Sequence, residues 1–219
     1  MASPATKIDL SRLPRGPHRL SREEVERSQR ERLLMATAEA VAEKGYAATS
    51  VADVSSRAGV SRTTFYQLFD DKLDCFLAAN QMAAEVLSTT IVDALTDGAA
   101  HGGADPIDKL DRLLSAYLDT LAAFPVLARV FLVEVYAAGP EAIRQRRASL
   151  AVFVDLVSAT LGGNGDGDDA DPETRTIAEV LVAAVSSMVT NAVGVGEADH
   201  LPDLRRPLML LAQQVLSTR

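Results

Sequence analysis

The stretch Thr49–Lys72, TSVADVSSRAGVSRTTFYQLFDDK, decides the fold. Val51, Val54 and Ala58 have the spacing of one apolar face of a short helix. Thr49 and Ser50 stand before it as N-cap candidates, since a short side-chain oxygen can accept from an amide that the first turn leaves unpaired. Gly59 can end this helix in a left-handed conformation, which a residue without a Cβ adopts at no steric cost. Ser61 then offers an N-cap hydroxyl to a second helix. Two short helices joined by a tight turn are the layout of a helix-turn-helix, whose second helix enters the DNA major groove.

At about 100° per residue, Phe65, Leu68 and Phe69 of the second helix share one side and pack inward. Thr63 and Gln67 point the opposite way, Thr64 and Tyr66 flank them, and Arg62 sits in the first turn. A Gln can pair with adenine through two hydrogen bonds, and an Arg with guanine. The first amides of the same helix favour a phosphate. An ordinary helical hairpin with a solvated outer face has the same periodicity, so geometry alone leaves both readings open.

The stretch resembles the DNA-binding domain of the TetR family of transcriptional regulators. The matching residues are Ala38 and Gly45-Tyr46, then Thr49, Val51, Val54, Ala58-Gly59-Val60-Ser61, Thr64-Phe65-Tyr66, Phe69 and Lys72. The resemblance implies that Tyr66 and Lys72 hold DNA phosphates. Many members carry a His two residues after that Tyr; this chain has Leu68, so a contact made by that His is absent. The candidate DNA-contacting set is Thr49, Ser61, Arg62, Thr63, Thr64, Tyr66, Gln67 and Lys72.

A chain of 219 residues with 47% apolar residues can bury a sizeable core, as one large domain or two small ones. No long alternating pattern suggests strands. The single Cys75 excludes an internal disulfide and fits a reducing compartment. No signal peptide pattern is found and no apolar run is expected to span a membrane, so the expected location is cytoplasmic. The net charge of −8 divides unevenly: residues 1–72 balance at +2 and residues 73–219 at −10. Phosphate binding follows local charge, so the acidity lies outside the expected reading head.

Residues 1–20 carry Pro4, Pro14 and Pro17 and read as a disordered basic arm, either a minor-groove contact or a solvated tail. A long helix follows to about Lys44, capped by Ser21 or Ser28, with Ser21 and Glu24 spaced for a capping box and Gly45 as its stop. Asp71 opens a connector helix; Cys75 on it reads as a packed thiol rather than a redox sensor. Residues 98–106 read as a loop, and helices follow from Pro106 to about Phe124, from Pro125, and from Gly139-Pro140 to about Leu161. The helix around Phe131 is apolar nearly all round and should be central, with Arg129 and Glu134 as exceptions.

A cavity between the fifth, sixth and seventh helices would be lined by Tyr117, Phe124, Leu127, Phe131, Tyr136 and Phe153, with Glu134 facing a ligand or paired to Arg129. The same stripe can be plain core. The acidic loop at 162–172 fails the register of a calcium-binding EF-hand. The last helices are expected at about 172–193 and 203–218. The family resemblance implies that they pair with a second copy and that the domain binds an inducer.

The expected architecture is all-α. Residues 21–72 form a three-helix helix-turn-helix domain and residues 73–219 a helical ligand-binding and dimerisation domain. The expected function is a DNA-binding regulator, most simply a repressor released from operator DNA by a small molecule. No metal, cofactor or catalytic motif is found: His18, His101 and His200 lack ligand spacing. A helical adaptor without DNA binding is the main alternative, and an enzyme the more remote one.

Overall fold

Ser21 starts the first helix through reciprocal bonds: its hydroxyl accepts from the Glu24 amide at 3.2 Å while its own amide donates to the Glu24 carboxylate at 2.7 Å. Of the two expected caps, the sequence therefore uses Ser21 rather than Ser28. This computed structural model describes residues 21–99, 105–162 and 171–217. The expectations for the arm at 1–20, and for loop residues 100–104 and 163–170, fall outside the described residues.

All regular elements among the described residues are helical. Helices α1 (Arg22–Lys44), α2 (Val51–Ala58) and α3 (Arg62–Leu68) are followed by the long α4 (Lys72–Ala99) and by α5 (Pro106–Ala123). After Phe124 the chain turns by 103° into α6. This helix begins at Pro125–Arg129, passes through a π-helical stretch at Val130–Glu134 and ends at Val135–Ala138. Helices α7 (Pro140–Gly162) and α8 (Pro172–Gly194) pack side by side, and a 3₁₀ segment (Ala198–Leu204) leads into α9 (Arg205–Ser217). The 3₁₀ segment lies largely between the two last helices as expected from the sequence.

Two buried clusters organise these helices, and α1 and α4 belong to both. Leu33 and Leu34 of α1, with Cys75 and Ala79 of α4, pack on Val54, Ala58, Phe65 and Phe69. Ala38 and Val41 of α1, with Phe76, Ala83, Leu87 and Ile91 of α4, join the larger cluster instead. Residues three and four apart share a helix face, so each long helix offers one face to each core. Cys75 is packed as expected. Burial pushes its thiol up to about 11, and its sulfur lies 3.1 Å from the Thr37 hydroxyl.

Helix α6 is central: Leu127, Ala128, Val130, Phe131, Leu132, Glu134 and Val135 are all buried. One compositional expectation is corrected. Lys72–Thr96 and Pro172–Gly194 are each long and apolar enough to cross a membrane by length and composition.

Candidate nucleic-acid interface and effector pocket

Ser50, not Thr49, caps α2: its hydroxyl accepts from the Asp53 amide at 3.2 Å and its amide donates to Asp53 Oδ2 at 2.9 Å. The Asp53 carboxyl is held far below its usual range, first by the Lys44 ammonium at 2.7 Å and then by Ser50. Gly59 closes α2 in the left-handed region at φ 62° and ψ 36°, which turns the chain sharply into α3. There the Ser61 hydroxyl accepts from the Thr64 amide at 3.0 Å. Phe65 and Phe69 are buried with ring centroids 5.7 Å apart, and Leu68 is half-buried. This anchoring fixes which way α3 faces.

Ser61, Arg62, Thr63, Tyr66 and Gln67 are exposed, with Tyr66 54% accessible. Thr64 is half-buried and its hydroxyl bonds with that of Ser61 at 2.9 Å. Among the described residues, the side chains of Arg62, Thr63 and Gln67 make no hydrogen bond or ion pair. Three polar side chains on a rigid helix therefore keep their donors and acceptors for something outside the chain.

Of the expected DNA contacts, Thr49 belongs to the interior instead, and Lys72 is half-buried and partly engaged within the fold. Thr49 is 2% accessible, and its hydroxyl donates to the carbonyls of Gly45 and Ala40 at 2.9 and 3.2 Å. It stitches the end of α1 to the start of α2, with no hydroxyl hydrogen left for a phosphate. Lys72 donates from Nζ to the carbonyls of Tyr46 and Thr49, both at 2.9 Å, and stands 4.1 Å from the Tyr46 ring centroid. An ammonium has three donors; two of them tie α4 to the α1–α2 turn and the third remains for a further acceptor.

Glu134 reaches the same turn from the other side. It is 6% accessible, its Oε2 accepts from the Tyr46 amide at 2.9 Å, and its Oε1 pairs with Arg129 at 3.1 Å. The Tyr46 ring packs edge-on to Phe76 at 4.9 Å. Glu134 thus joins central helix α6 to the reading head and is removed from the expected pocket lining. Gly45, at φ 81°, lets the turn pass: a Cβ there would lie 3.6 Å from Glu134 Oε2.

The expected single cavity is divided. Tyr117 and Phe153 line a pocket whose other walls include Leu113 of α5, Val157 of α7, Leu181 and Ser186 of α8, and Met209 of α9. Its volume for the centres of water-sized spheres is about 60 Å³, room for roughly four to six waters. Phe124, Leu127 and Phe131 instead line a void of about 10 Å³ against α4. Tyr136 is 54% accessible and lines neither. The 103° turn at Phe124 explains the split, because it swings α6 toward α1 and α4 and leaves α8 and α9 to close the pocket.

The sequence profile of "Bacterial regulatory proteins, tetR family" matches residues 33–79, from α1 into α4. That segment is similar to the DNA-binding domain of TetR-family transcriptional regulators. The transcriptional activator FasR of Mycolicibacterium smegmatis is 27% identical over 140 residues, 64% of this chain and 60% of FasR. The chain thus spans less than two thirds of that relative's length. The transcriptional repressor KstR of Mycobacterium tuberculosis is 23% identical over 85% of this chain and 83% of KstR. The structure of the regulator FadR from Bacillus subtilis in complex with stearoyl-CoA superposes with a TM-score of 0.65, at 21% identity, over 83% of this chain and 96% of that one. At that identity the likeness shows the fold alone.

Sequence reading missed Arg146 of α7. Arg146 is 3% accessible, and it donates to the Phe131 carbonyl at 3.1 Å, to the Ser186 hydroxyl at 2.8 Å and to Thr190 at 3.2 Å. One arginine in the run Arg144, Arg146, Arg147 is buried, and composition does not say which. The π-helical stretch was also unforeseen; within it the buried Phe131 carbonyl accepts from Arg146, a pairing that only coordinates reveal.

Proposed function

We propose that this protein is a cytoplasmic, homodimeric repressor that reads operator DNA through α3 and is released by a predominantly apolar small molecule. Residues 21–72 are the reading head and the remaining helices the effector and dimerisation unit. The observation that carries the reading is the outward face of α3, where Arg62, Thr63 and Gln67 stand exposed and unengaged on a helix locked from behind by Phe65 and Phe69. Arg62 and Gln67 have the donor patterns that read guanine and adenine. Ser61, Thr64 and Tyr66 sit where hydroxyls meet phosphates, and Lys72 and Thr49 serve indirectly by holding the turn.

The dimer reading rests on α8. Its most apolar stretch is only 28% buried within the chain. Val180 and Met188 on α8, with Leu210 and Leu211 on α9, are exposed. A second copy would cover this face, as a helix apolar on more than one side requires. Two copies also supply two half-sites, which one short helix lacks. The effector reading rests on the pocket walls, which are apolar apart from Ser186 and the Tyr117 hydroxyl. The stearoyl-CoA bound to FadR is consistent with a long hydrocarbon effector here. Effector binding would favour a dimer whose reading heads no longer match the half-site spacing.

Fluorescence anisotropy with the duplex upstream of this protein's own gene, a scrambled duplex and a salt series tests the reading. Selective binding that weakens steeply with salt is expected. Equal, weak binding to both duplexes, repeated across a genome-wide selection of bound fragments, would overturn it.

A further inference from the structure

Arg146 is a buried cation that lacks a carboxylate partner among the described residues. Its Nη2 donates to the Ser186 hydroxyl at 2.8 Å, and Ser186 lines the apolar pocket. A serine hydroxyl that accepts from a guanidinium still has its own hydrogen to give, and no acceptor for it is found among the described residues. Tyr117 of α5 lines the same pocket, is buried, and its hydroxyl has no partner among the described residues. Burial pushes the Tyr117 phenol up to about 12, against the opposing pull of Arg146, so it stays a proton donor. Two hydroxyl donors therefore sit at an otherwise apolar cavity, backed by one positive charge in a region of low dielectric.

Building on the effector reading above, we propose that Ser186 and Tyr117, polarised by Arg146, form a receptor for the carboxylate of an apolar effector. The apolar walls take the hydrocarbon body, and the carboxylate accepts from both hydroxyls. Arg146 acts as the positioning residue: it holds Ser186 with its hydrogen turned away and supplies the charge that an anion completes. A lone buried cation costs free energy that an incoming carboxylate offsets, which makes the site selective for acid over neutral analogue.

Isothermal titration calorimetry on the full chain tests this with octanoate, dodecanoate and hexadecanoate, the matching alcohols, and dodecanoyl-CoA, all below micelle-forming concentration. The acid of best-fitting length is expected to bind at least about tenfold more tightly than its alcohol, the factor that charge-assisted hydrogen bonds supply. Arg146→Met should erase that ratio while leaving alcohol binding in place, and Arg146→Lys should retain part of it. Tyr117→Phe, which keeps the ring and its packing, should lower the ratio by about threefold and serves if Arg146→Met does not fold. Acid and alcohol binding alike would overturn the carboxylate receptor and leave the apolar pocket standing. Binding of the coenzyme A thioester but not the free acid would place the anion elsewhere and overturn the carboxylate receptor as well. Binding of none of the probes would overturn both the receptor and the effector reading of this pocket.

Discussion

Helix α3 turns Arg62, Thr63 and Gln67 outward without an intramolecular partner; helix α6 draws Glu134 inward and joins it to Arg129 and to the Tyr46 amide. Both helices carry polar residues close to buried aromatic ones. The difference is solvent access. An exposed polar group can wait for an external partner because water satisfies it meanwhile. A buried one must be satisfied within the fold. Substitution on the outward face of α3 should change recognition and spare stability, whereas substitution on α6 should do the reverse.

The strongest way to break this contrast is from behind α3. Phe65 is fully buried, so Phe65→Ala should cost about 3–5 kcal/mol and abolish DNA binding together with folding of the reading head. Urea unfolding followed by far-ultraviolet circular dichroism reads the loss. A cost under about 1 kcal/mol would mean that α3 is not anchored as described.

Alkaline pH probes the buried side of the molecule. Tyr117 titrates near 10 when unfolded and is pushed up to about 12 by burial. The unfolded chain therefore sheds this proton first. The contribution is complete below about pH 10 and disappears as pH rises through about 12, amounting to about 2–3 kcal/mol. Chemical denaturation at stepped pH should show a steeper decline in the native protein than in Tyr117→Phe; parallel declines would contradict the burial.

Glu134→Ala strands the Tyr46 amide and the Arg129 guanidinium, and should cost about 1–3 kcal/mol in thermal unfolding. Arg129→Ala should cost less, because that side chain is partly exposed. Equal costs would shift the weight of the junction from the amide bond to the ion pair.

The smallest stability effect belongs to Gln67→Ala, within about 0.5 kcal/mol. Its effect on DNA should be local: anisotropy across duplexes changed one base pair at a time should show preference relaxed by about 1–3 kcal/mol at particular positions, with non-specific binding unchanged. Uniform weakening would assign Gln67 to the phosphates instead.

The reading head was legible because its logic is local. Ser50, Gly59 and Ser61 act on amides within a few residues, and Phe65 and Phe69 follow the helical period. Thr49 misled for a related reason: its type suits a phosphate, but its position beside the Gly45-Tyr46 turn gives its hydroxyl backbone carbonyls first, as it gives two of the three Lys72 donors. The pocket was harder. Tyr117 and Phe153 sit on faces that periodicity identifies, yet which helices close over them depends on the turn at Phe124 and on the return of α8 and α9. Neither is written in a short window of sequence. Leu181 and Ser186 share α8 with the outward Val180 and Met188, and a helix apolar on two sides gives no periodic clue to which side meets the cavity.

The π-helical stretch at Val130–Glu134 also works as a protractor. Wider turns place one more residue than an α-helix needs between Pro125 and Glu134, and each residue of an α-helix advances the azimuth by about 100°. Removing a single residue from this stretch would let α6 close into regular α-helix and keep its apolar character. The carboxylate would then leave helix α6 about a quarter-turn away from the Tyr46 amide. The link between the two halves of this protein is therefore a matter of phase as much as of chemistry.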